Sequence, residues 1–184
     1  MKRHWRNLLI SLKILSLVLL LSCNKKEDIL KKKISKNLPD QQMDSVQIIT
    51  STNSIKEQKI KAVHIDNYTD EKKTYADTVF ITNYNPDGSI KSTLYCDKAI
   101  IDEAKNLFTG KGNVVIESKN GILETPLLVW DRNTNEVVAK EKVTLKREKN
   151  ILHGVKLITN TNLENVTIYK VSAEEKINKK KMDW

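Results

Sequence analysis

The fold of this chain is decided by residues 79–90, which read VFITNYNPDGSI. β-Branched and aromatic residues fill positions 79–84, as is typical of a β-strand. The next four residues, 85–88, are a turn signal, because proline presets φ at the second turn position and glycine accepts the positive φ that follows. Residues 90–99 return with strand composition. The stretch therefore predicts a β-hairpin.

Further strand-like segments lie on both sides of this hairpin, and turn residues separate them. The predicted strands cover residues 59–64, 107–109, 113–117, 122–130, 136–140, 142–147, 151–159 and 166–171. No apolar stripe of helical period runs between residues 75 and 173. The sequence therefore predicts an all-β domain over residues 59–173.

The strands repeat with an offset of 29 residues. The matched pairs are Leu94 with Leu123, Asp102 with Asp131, Asn106 with Asn135, Val114 with Val143, and Ile116 with Leu145. A weaker third copy begins at Leu152, with Leu157 in place of Leu128 and Val166 in place of Val137. One two-strand unit cannot bury its own apolar face, so stacked units must bury it together. This predicts a sandwich, a jelly roll or a β-solenoid with open ends.

The amino terminus is organised like a secretory signal. A basic start is followed by a leucine-rich stretch over residues 8–21, which is too short for a transmembrane helix of ~20 apolar residues. The stretch ends in Leu20-Leu21-Ser22-Cys23, which resembles a bacterial lipobox. We therefore expect a lipoprotein signal peptide over residues 1–22 and a lipidated Cys23 that anchors the protein to a membrane. The alternative is an ordinary signal segment followed by a chance cysteine.

Two further segments are expected to lie outside the β-domain. Residues 23–58 are rich in Lys, Asn, Ser and Gln and predict a flexible tether, and residues 174–184 predict a charged tail. The net charge of +9 belongs mostly to these ends and to the signal peptide, which leaves +1 over residues 41–173. With only 5% aromatic residues as well, the chain lacks the basic patch and the stacking platform of a nucleic-acid-binding protein.

No cluster of residues in the sequence supports catalysis, metal binding or a cofactor. His64 and His153 stand alone, whereas a metal site needs several ligands at defined spacings. Asp102 recurs in the repeat as Asp131, where it opens a turn, so a structural role is favoured over acid–base chemistry. The sequence therefore predicts a protein that is not an enzyme.

Two side chains are assigned structural places. Cys96 lies in the apolar alternation of a strand and is expected to be a small buried hydrophobe with no disulfide partner, since Cys23 would be acylated. Trp130 ends a strand, and we expect it to be an aromatic residue at the rim of the sheet.

Three motifs carry a resemblance to a known family. They are Tyr84-Asn85-Pro86-Asp87-Gly88-Ser89-Ile90 with Leu94 and Asp97-Lys98-Ala99; Gly110-Lys111-Gly112-Asn113-Val114-Val115-Ile116; and Leu123-Glu124-Thr125 to Trp130-Asp131-Arg132. With them, residues 75–173 resemble the LptC family, the periplasmic component of the lipopolysaccharide-export ABC transporter, which has an OstA/LptA-like fold. Many members carry a transmembrane helix where this chain has a lipobox. Glu27-Asp28 also looks like the acidic export signal of some surface lipoproteins.

The resemblance implies a twisted, open-ended β-jelly roll whose interior binds the acyl chains of lipopolysaccharide. It further implies that the protein accepts lipopolysaccharide from inner-membrane ABC transporter subunits and passes it to a periplasmic LptA-like bridge protein. The expected location is the periplasm, tethered to the inner membrane, with the outer membrane or cell surface as the alternative. The contrasting hypothesis is an adhesion or scaffold lipoprotein whose β-solenoid binds protein and not lipid.

Two sets of site residues follow from strand alternation and the resemblance. The inner, lipid-contacting face is expected to carry Val79, Ile81, Leu94, Ile101, Val115, Leu128 and Val143, with the opposite parity left open. The partner edge strand is expected at Val166, Thr167, Ile168, Tyr169, Lys170 and Val171, where a strand of the bridge protein would add. The alternative is that this strand only completes an intramolecular sheet.

Overall fold

The computed structural model of the protein describes residues 38–175, which form twelve antiparallel strands and no helix. The strands are β1 Gln41–Thr52, β2 Ile55–Tyr68, β3 Lys73–Tyr84, β4 Ile90–Asp102, β5 Leu107–Ser118, β6 Gly121–Asp131, β7 Glu136–Ala139, β8 Val143–Arg147, β9 Asn150–Gly154, β10 Lys156–Asn160, β11 Thr167–Tyr169 and β12 Ser172–Glu175. This part of the chain therefore contains no helix long and apolar enough to cross a bilayer.

Strands that follow one another along the chain pair side by side in one sheet. The order is β1-β2-β3-β4-β5-β6-β7-β10-β11, and β8, β9 and β12 pair alongside this path. The hairpin predicted from residues 79–90 joins β3 to β4, and the Gly88 amide donates to the Asn85 carbonyl at 2.9 Å. Because β1 and β11 end the path without meeting, the sheet is open. The predicted open-ended all-β roll is confirmed.

The strands are interrupted at about the same height across the sheet. The β1–β2 register skips Ser45, and the pairing of β4 with β5 shifts between Tyr95 and Lys98. Farther along, the chain leaves the ladder between β7 and β8, between β9 and β10, and between β11 and β12. Positive φ angles occur along this line at Ser45, Thr78, Gly112, Asn113 and Lys170. Bulges and breaks bend strands, so the line is where the sheet folds over.

The bend line divides the sheet into two layers. Layer A contains residues 41–44, 64–68, 73–77, 98–102, 107–111 and 127–131 with β7, β10 and β11. Layer B contains residues 46–52, 55–62, 79–84, 90–95, 114–118 and 121–125 with β8, β9 and β12. Inward side chains of both layers form one apolar cluster. Its fully buried members include Ile116, Leu123, Leu128, Leu145, Leu157 and Leu163.

The 29-residue repeat corresponds to a repeated turn and strand pair. Asn106 and Asn135 both adopt left-handed backbone, with φ of 54° and 58°. Asp102 Oδ1 accepts a hydrogen bond from the Lys105 amide at 3.1 Å, and Asp131 Oδ1 accepts one from the Asn133 amide at 2.8 Å. These carboxylates therefore hold turns.

Both segments expected outside the domain contribute strand residues. Over residues 41–58 the expected tether is wrong, because they form β1 and the start of β2. β1 is exposed apart from Val46, which is half-buried against the core, so it shows little apolar alternation, and it is held mainly by the backbone ladder to β2. At the other end β12 includes residues 174 and 175 of the expected tail. The signal peptide, Cys23 and residues 24–37 lie outside the described residues and stay predictions.

Trp130 is buried and not at the rim as expected. Its side chain packs edge-on against Phe108, with ring centroids 6.1 Å apart. The indole Nε1 donates to Asn135 Oδ1 at 3.1 Å, which satisfies its single donor. The expected burial of Cys96 is confirmed: it is fully buried, and burial raises the pKa of its thiol to about 12.

Candidate functional site

A cleft of about 450 Å³ opens between the two layers at the β1–β3 end of the roll. Its size falls within the range of about 300–1,000 Å³ that is usual for ligand sites. Exposed Glu103 and Arg132 contribute to a lining that is otherwise mostly apolar. The lining residues are Ile48, Gln58, Ile60, Ala62, Ile65, Thr74, Ala76, Val79, Ile81, Ile101, Glu103, Asn106, Phe108, Trp130 and Arg132. Such a lining accommodates an apolar chain and offers few polar partners.

The cleft exists because small residues occupy inward positions of β2 and β3. Ala62 and Ala76 are buried there. The positions paired with Ala76 on β4 and β5 are Ala99 and Gly110, and a large residue first appears in this row at Leu128 on β6. Alanine leaves the space that a leucine would fill, and β1 covers this space only in part, through Ile48. The open volume therefore follows from side-chain size on an otherwise regular sheet.

Phe108 and Trp130 form the wall of the cleft that faces the rest of the interior. The Phe108 ring has room because Gly110 lies beside it. A Cβ on Gly110 would lie 3.3 Å from the ring, which is a tight contact, and 3.5 Å from Cys96 Sγ, which is an ordinary one. A larger residue at this position would therefore press on the Phe108 ring.

The connection between β10 and β11 packs into the core beside the β5–β6 and β6–β7 turns. We call residues 161–166 the plug. Leu163 is fully buried within the core cluster. On the layer A side, Thr161 Oγ1 donates to Asn135 Oδ1 at 3.1 Å. On the layer B side, the Asn162 carbonyl accepts from Ser118 Oγ at 2.7 Å and from Asn120 Nδ2 at 2.9 Å.

Most of the predicted inner-face residues lie between the layers. Val79, Ile81, Leu94, Leu128 and Val143 are buried there, and Ile101 is half-buried against the same core. Three of them, Val79, Ile81 and Ile101, line the cleft, whereas the other three lie outside its lining. Contact with lipid stays a prediction for all of them.

Val115 lies on the outer face, so its assignment to the inner face is wrong. It pairs with Tyr95 while its neighbours Val114 and Ile116 are buried. The inward positions of β5 are Phe108 and Gly110 before the bulge at Gly112 and Asn113, and Val114 and Ile116 after it, so Val115 has the outward parity. The 29-residue repeat already matched Val114, and not Val115, with Val143.

The predicted edge strand is shorter than expected. β11 contains Thr167, Ile168 and Tyr169, while Val166, Lys170 and Val171 flank it outside the ladder. β11 pairs with β10, with Ile168 opposite Leu157, and ends the path of the sheet. Its other side pairs with no described strand. Addition of a partner strand there stays a prediction.

His64 stands between two carboxylates on the first two strands. Its Nδ1 lies 2.6 Å from Asp44 Oδ1 on β1, and its Nε2 lies 3.1 Å from Asp66 Oδ1. The hydrogen bond with Asp44 chiefly raises the pKa of His64, and Asp66 adds to this. The arrangement joins the exposed β1 to β2. No group of three or more His, Cys, Asp or Glu in residues 38–175 could hold a metal ion.

The sequence analysis missed the residues that shape both ends of the interior. Ile60, Ala62 and Ala76 were not assigned to the site, although small inward residues beside β-branched ones are a signal of unfilled space. Leu163 is the one apolar residue in the polar run TNTNLEN, residues 159–165. A single leucine in an otherwise polar connection indicates that the connection is anchored in the apolar core.

Comparisons with known proteins agree with this architecture. The family model described as LptC, lipopolysaccharide-assembly, LptC-related, matches residues 8–174. Among solved structures, the chain is similar to LptH from Pseudomonas aeruginosa, described as the LptA-homologous periplasmic component of the conserved lipopolysaccharide transport device. The TM-score is 0.52 at 14% identity, over 64% of this chain and 93% of that one, so the likeness concerns the fold. No curated protein matches the chain in sequence.

Proposed function

Because the chain belongs to the LptC family of lipopolysaccharide-assembly proteins, we propose that it accepts lipopolysaccharide from inner-membrane ABC transporter subunits and passes it to a periplasmic LptA-like bridge protein. The family works in lipopolysaccharide transport in the periplasm and is non-enzymatic. Beyond the family's general role, we propose the direction in which lipopolysaccharide is transferred and the region of this chain that binds it.

The observation that carries the proposal is the apolar cleft between the layers. Burying the apolar surface of an acyl chain contributes about 25 cal/mol of binding free energy per Å². Ile60, Ile81 and Ile101 line the cleft and supply the apolar surface for that contact. A scaffold that binds only protein has no need of unfilled interior space, because such domains pack to native density. The cleft therefore favours a lipid conduit over the scaffold hypothesis.

The test is photocrosslinking of the purified full chain to hexa-acylated lipid A in detergent micelles. We expect a benzoylphenylalanine at Ile60, which lines the cleft, to crosslink to lipid A. The same probe at Lys61, the next and outward-facing residue of β2, should not. In parallel, Ile60→Trp should fill the cleft and reduce lipid A binding, while Lys61→Trp should not. Equal crosslinking from both positions would contradict an interior lipid site.

The anchor is proposed at Cys23, on the grounds of the lipobox sequence alone. Cys23→Ala should abolish acylation and leave the precursor uncleaved by the lipoprotein signal peptidase, so the protein keeps residues 1–22. Metabolic labelling with a fatty acid and the mass of the mature chain measure both effects. Ser22→Ala is the matched control, because alanine is also a small residue at that position. A Cys23→Ala protein that matures like the wild type would exclude the lipid anchor.

A further inference from the structure

The cleft reaches solvent where its exposed lining residues lie. These are Ile48 on β1 and, in turns that follow layer A strands, Glu103 and Arg132. Farther along the roll, strand side chains such as Leu123 and Leu128 are fully buried and fill the space between the layers. An acyl chain held in the cleft therefore enters and leaves through this mouth, and the headgroup that carries it stays outside, beside the ends of the strands.

Two lysines lie next to the mouth on layer B. Lys56 and Lys59 are half-buried on β2, on either side of Gln58, which lines the cleft. Gln58 Nε2 donates to Asn83 Oδ1 at 2.9 Å, and the next residue of β3 is Tyr84. The start of β2 and the end of β3 therefore place the two lysines and the tyrosine at the same edge of the cleft.

The ammonium groups of both lysines act on Tyr84. Lys56 Nζ lies 3.9 Å from the centroid of the Tyr84 ring, within the range of a cation–π contact. The pKa of the Tyr84 hydroxyl is lowered, chiefly by its polar contact with Lys56, and the charges of Lys56 and Lys59 add to this. We call Lys56, Lys59 and Tyr84 the cationic cluster. Because two positive charges near one side chain repel each other, an anion that contacts both is favoured there.

The described part of the chain gives the cationic cluster no carboxylate partner. None of the ion pairs among residues 38–175 includes Lys56 or Lys59. Glu57, between the two lysines in sequence, is exposed. Asp87, in the turn after β3, accepts hydrogen bonds from the Ser89 amide at 2.9 Å and from the Ser89 hydroxyl at 2.6 Å. The two ammonium groups therefore keep their charge available for a ligand.

On the facing layer, the charges at the mouth balance each other. Arg132 and Glu103 contribute one charge of each sign, and Glu103 Oε1 lies 3.4 Å from Thr74 Oγ1. The excess of positive charge at the mouth therefore lies on layer B, at the cationic cluster.

We propose that the cationic cluster binds a phosphate group of the lipid whose acyl chains occupy the cleft. This inference rests on the proposed function and deepens it by assigning the headgroup side of the same site. Ammonium groups bind phosphate through charge-assisted hydrogen bonds, and the Tyr84 hydroxyl can donate one more. Lipid A carries its phosphates on the sugars to which the acyl chains are attached, so an apolar cleft with cations at its mouth is complementary to it.

The experiment measures the affinity of the purified full chain for two forms of lipid A in neutral detergent micelles. One form keeps its phosphates, and they have been removed from the other. Lys56→Gln with Lys59→Gln removes both charges and keeps long polar side chains. The affinity for phosphorylated lipid A should fall about tenfold, as for the loss of one charge-assisted hydrogen bond. The affinity for dephosphorylated lipid A should stay the same, because the cleft is unchanged.

Two control variants separate a phosphate site from a general effect of charge. Lys156→Gln removes a lysine that contacts a tyrosine in the same way far from the cleft, with Nζ 5.1 Å from the Tyr169 ring centroid, and both affinities should stay at the wild-type values. Lys56→Arg with Lys59→Arg keeps both charges and should keep most of the affinity for phosphorylated lipid A.

Inorganic phosphate distinguishes a lipid headgroup from a free anion. In excess it should not displace phosphorylated lipid A, because the acyl chains add the affinity of the cleft. Displacement by phosphate alone would assign the cationic cluster to a free anion and overturn the headgroup site. An equal loss for both forms of lipid A, no loss for either form, or the same loss in Lys156→Gln would also overturn it.

Photocrosslinking from Ile60 to dephosphorylated lipid A tests the cleft separately. The crosslink should persist in the Lys56→Gln, Lys59→Gln variant, which also shows that the variant is folded. Crosslinking from Ile60 together with an unchanged affinity for phosphorylated lipid A would leave the proposed function standing and exclude the headgroup site alone. Absence of crosslinking from Ile60 to either form would overturn the proposed function, and the headgroup site with it.

Discussion

The two ends of this roll are built from the same strand pattern and yet have opposite interiors. At the β1–β3 end, inward alanines and an exposed outer strand leave a cleft of about 450 Å³. At the β7–β11 end, inward leucines and a buried plug leave Leu157 and Leu163 fully excluded from solvent. The difference teaches that the backbone supplies the two facing layers, whereas side-chain volume decides whether the space between them is open to a ligand.

The largest effect is expected from a charge placed in the interior. Ile81→Asp puts a carboxylate where the side chain is 2% exposed, with no described cationic partner in the cleft wall except the exposed Arg132. Burying a polar group without a partner costs on the order of several kcal/mol, so the domain should unfold or lose lipid A binding. Denaturant unfolding of the purified chain measures the loss.

The matched control for this variant is Phe80→Asp on the same strand. Phe80 is 41% exposed and faces outward, so its replacement should change the unfolding free energy far less. If both variants lose the same stability, β3 does not have the inward and outward faces described above.

The second prediction compares truncations at the two ends. Leu157→Ala at the closed end should cost about 2–5 kcal/mol, because it leaves a cavity in a fully packed interior. Ile60→Ala in the cleft wall should cost about 2 kcal/mol or less, since part of the side chain already faces empty space. Urea unfolding midpoints at constant m-value give the two numbers. Equal costs would mean that the cleft is filled in solution.

The third prediction concerns the carboxyl-terminal edge. Successive amides of an edge strand point alternately towards the sheet and away from it, so Thr167→Pro and Ile168→Pro remove amides on opposite sides of β11. One variant should lose stability through the β10 ladder. The other should change stability by less than about 1 kcal/mol and weaken binding of the LptA-like partner.

Circular dichroism and a pull-down of the partner by the full chain distinguish the two proline variants. Folding of β3 to β6 should persist in both. Unfolding of the whole domain in both variants would support the alternative that β11 only completes the intramolecular sheet. Intact folding with unchanged partner affinity would remove this edge from the binding site.

The smallest effect is expected at the amino-terminal edge, where His64 joins β1 to β2. Its raised pKa means that the protonated form is favoured by folding, so this contribution is present below pH 6.5 and is lost as the pH rises through the folded value. Its carboxylate neighbours are Asp44 and Asp66, and Asp77 lies opposite on β3, where it pairs with Lys98. Amide protection in β1 should therefore fall from pH 6 towards pH 8, once corrected for intrinsic exchange.

His64→Gln should remove this pH dependence. The control is His153→Gln, since the His153 ring meets the Thr144 hydroxyl and, among the side chains that the structure describes, no carboxylate. If amide protection in β1 depends on pH as strongly in His64→Gln as in the wild type, another group is responsible.

The same contrast between the ends explains what the sequence could and could not predict. The repeat, the β3–β4 hairpin and most inward residues were predictable, because leucine and valine alternate with polar residues in strands that bury one face. β1 was missed since all of its residues except Val46 are exposed and no clear alternation marks it. Val115 was misplaced because two valines follow one another at 114 and 115 and composition does not say which of them faces inward. The cleft depends on space that several side chains together leave unfilled, and this cannot be predicted from any single residue.

The bend line carries a consequence for how this protein can change its length. Strands β1 to β6 cross the line and belong to both layers, and the shorter strands β7 to β12 lie on one side of it or the other. Insertion or loss of one 29-residue unit would therefore lengthen or shorten both layers together and leave the cross-section and both terminal edges as they are. The roll can therefore change its length by whole units, while inward side chains set the width of its interior and both edge strands stay the same.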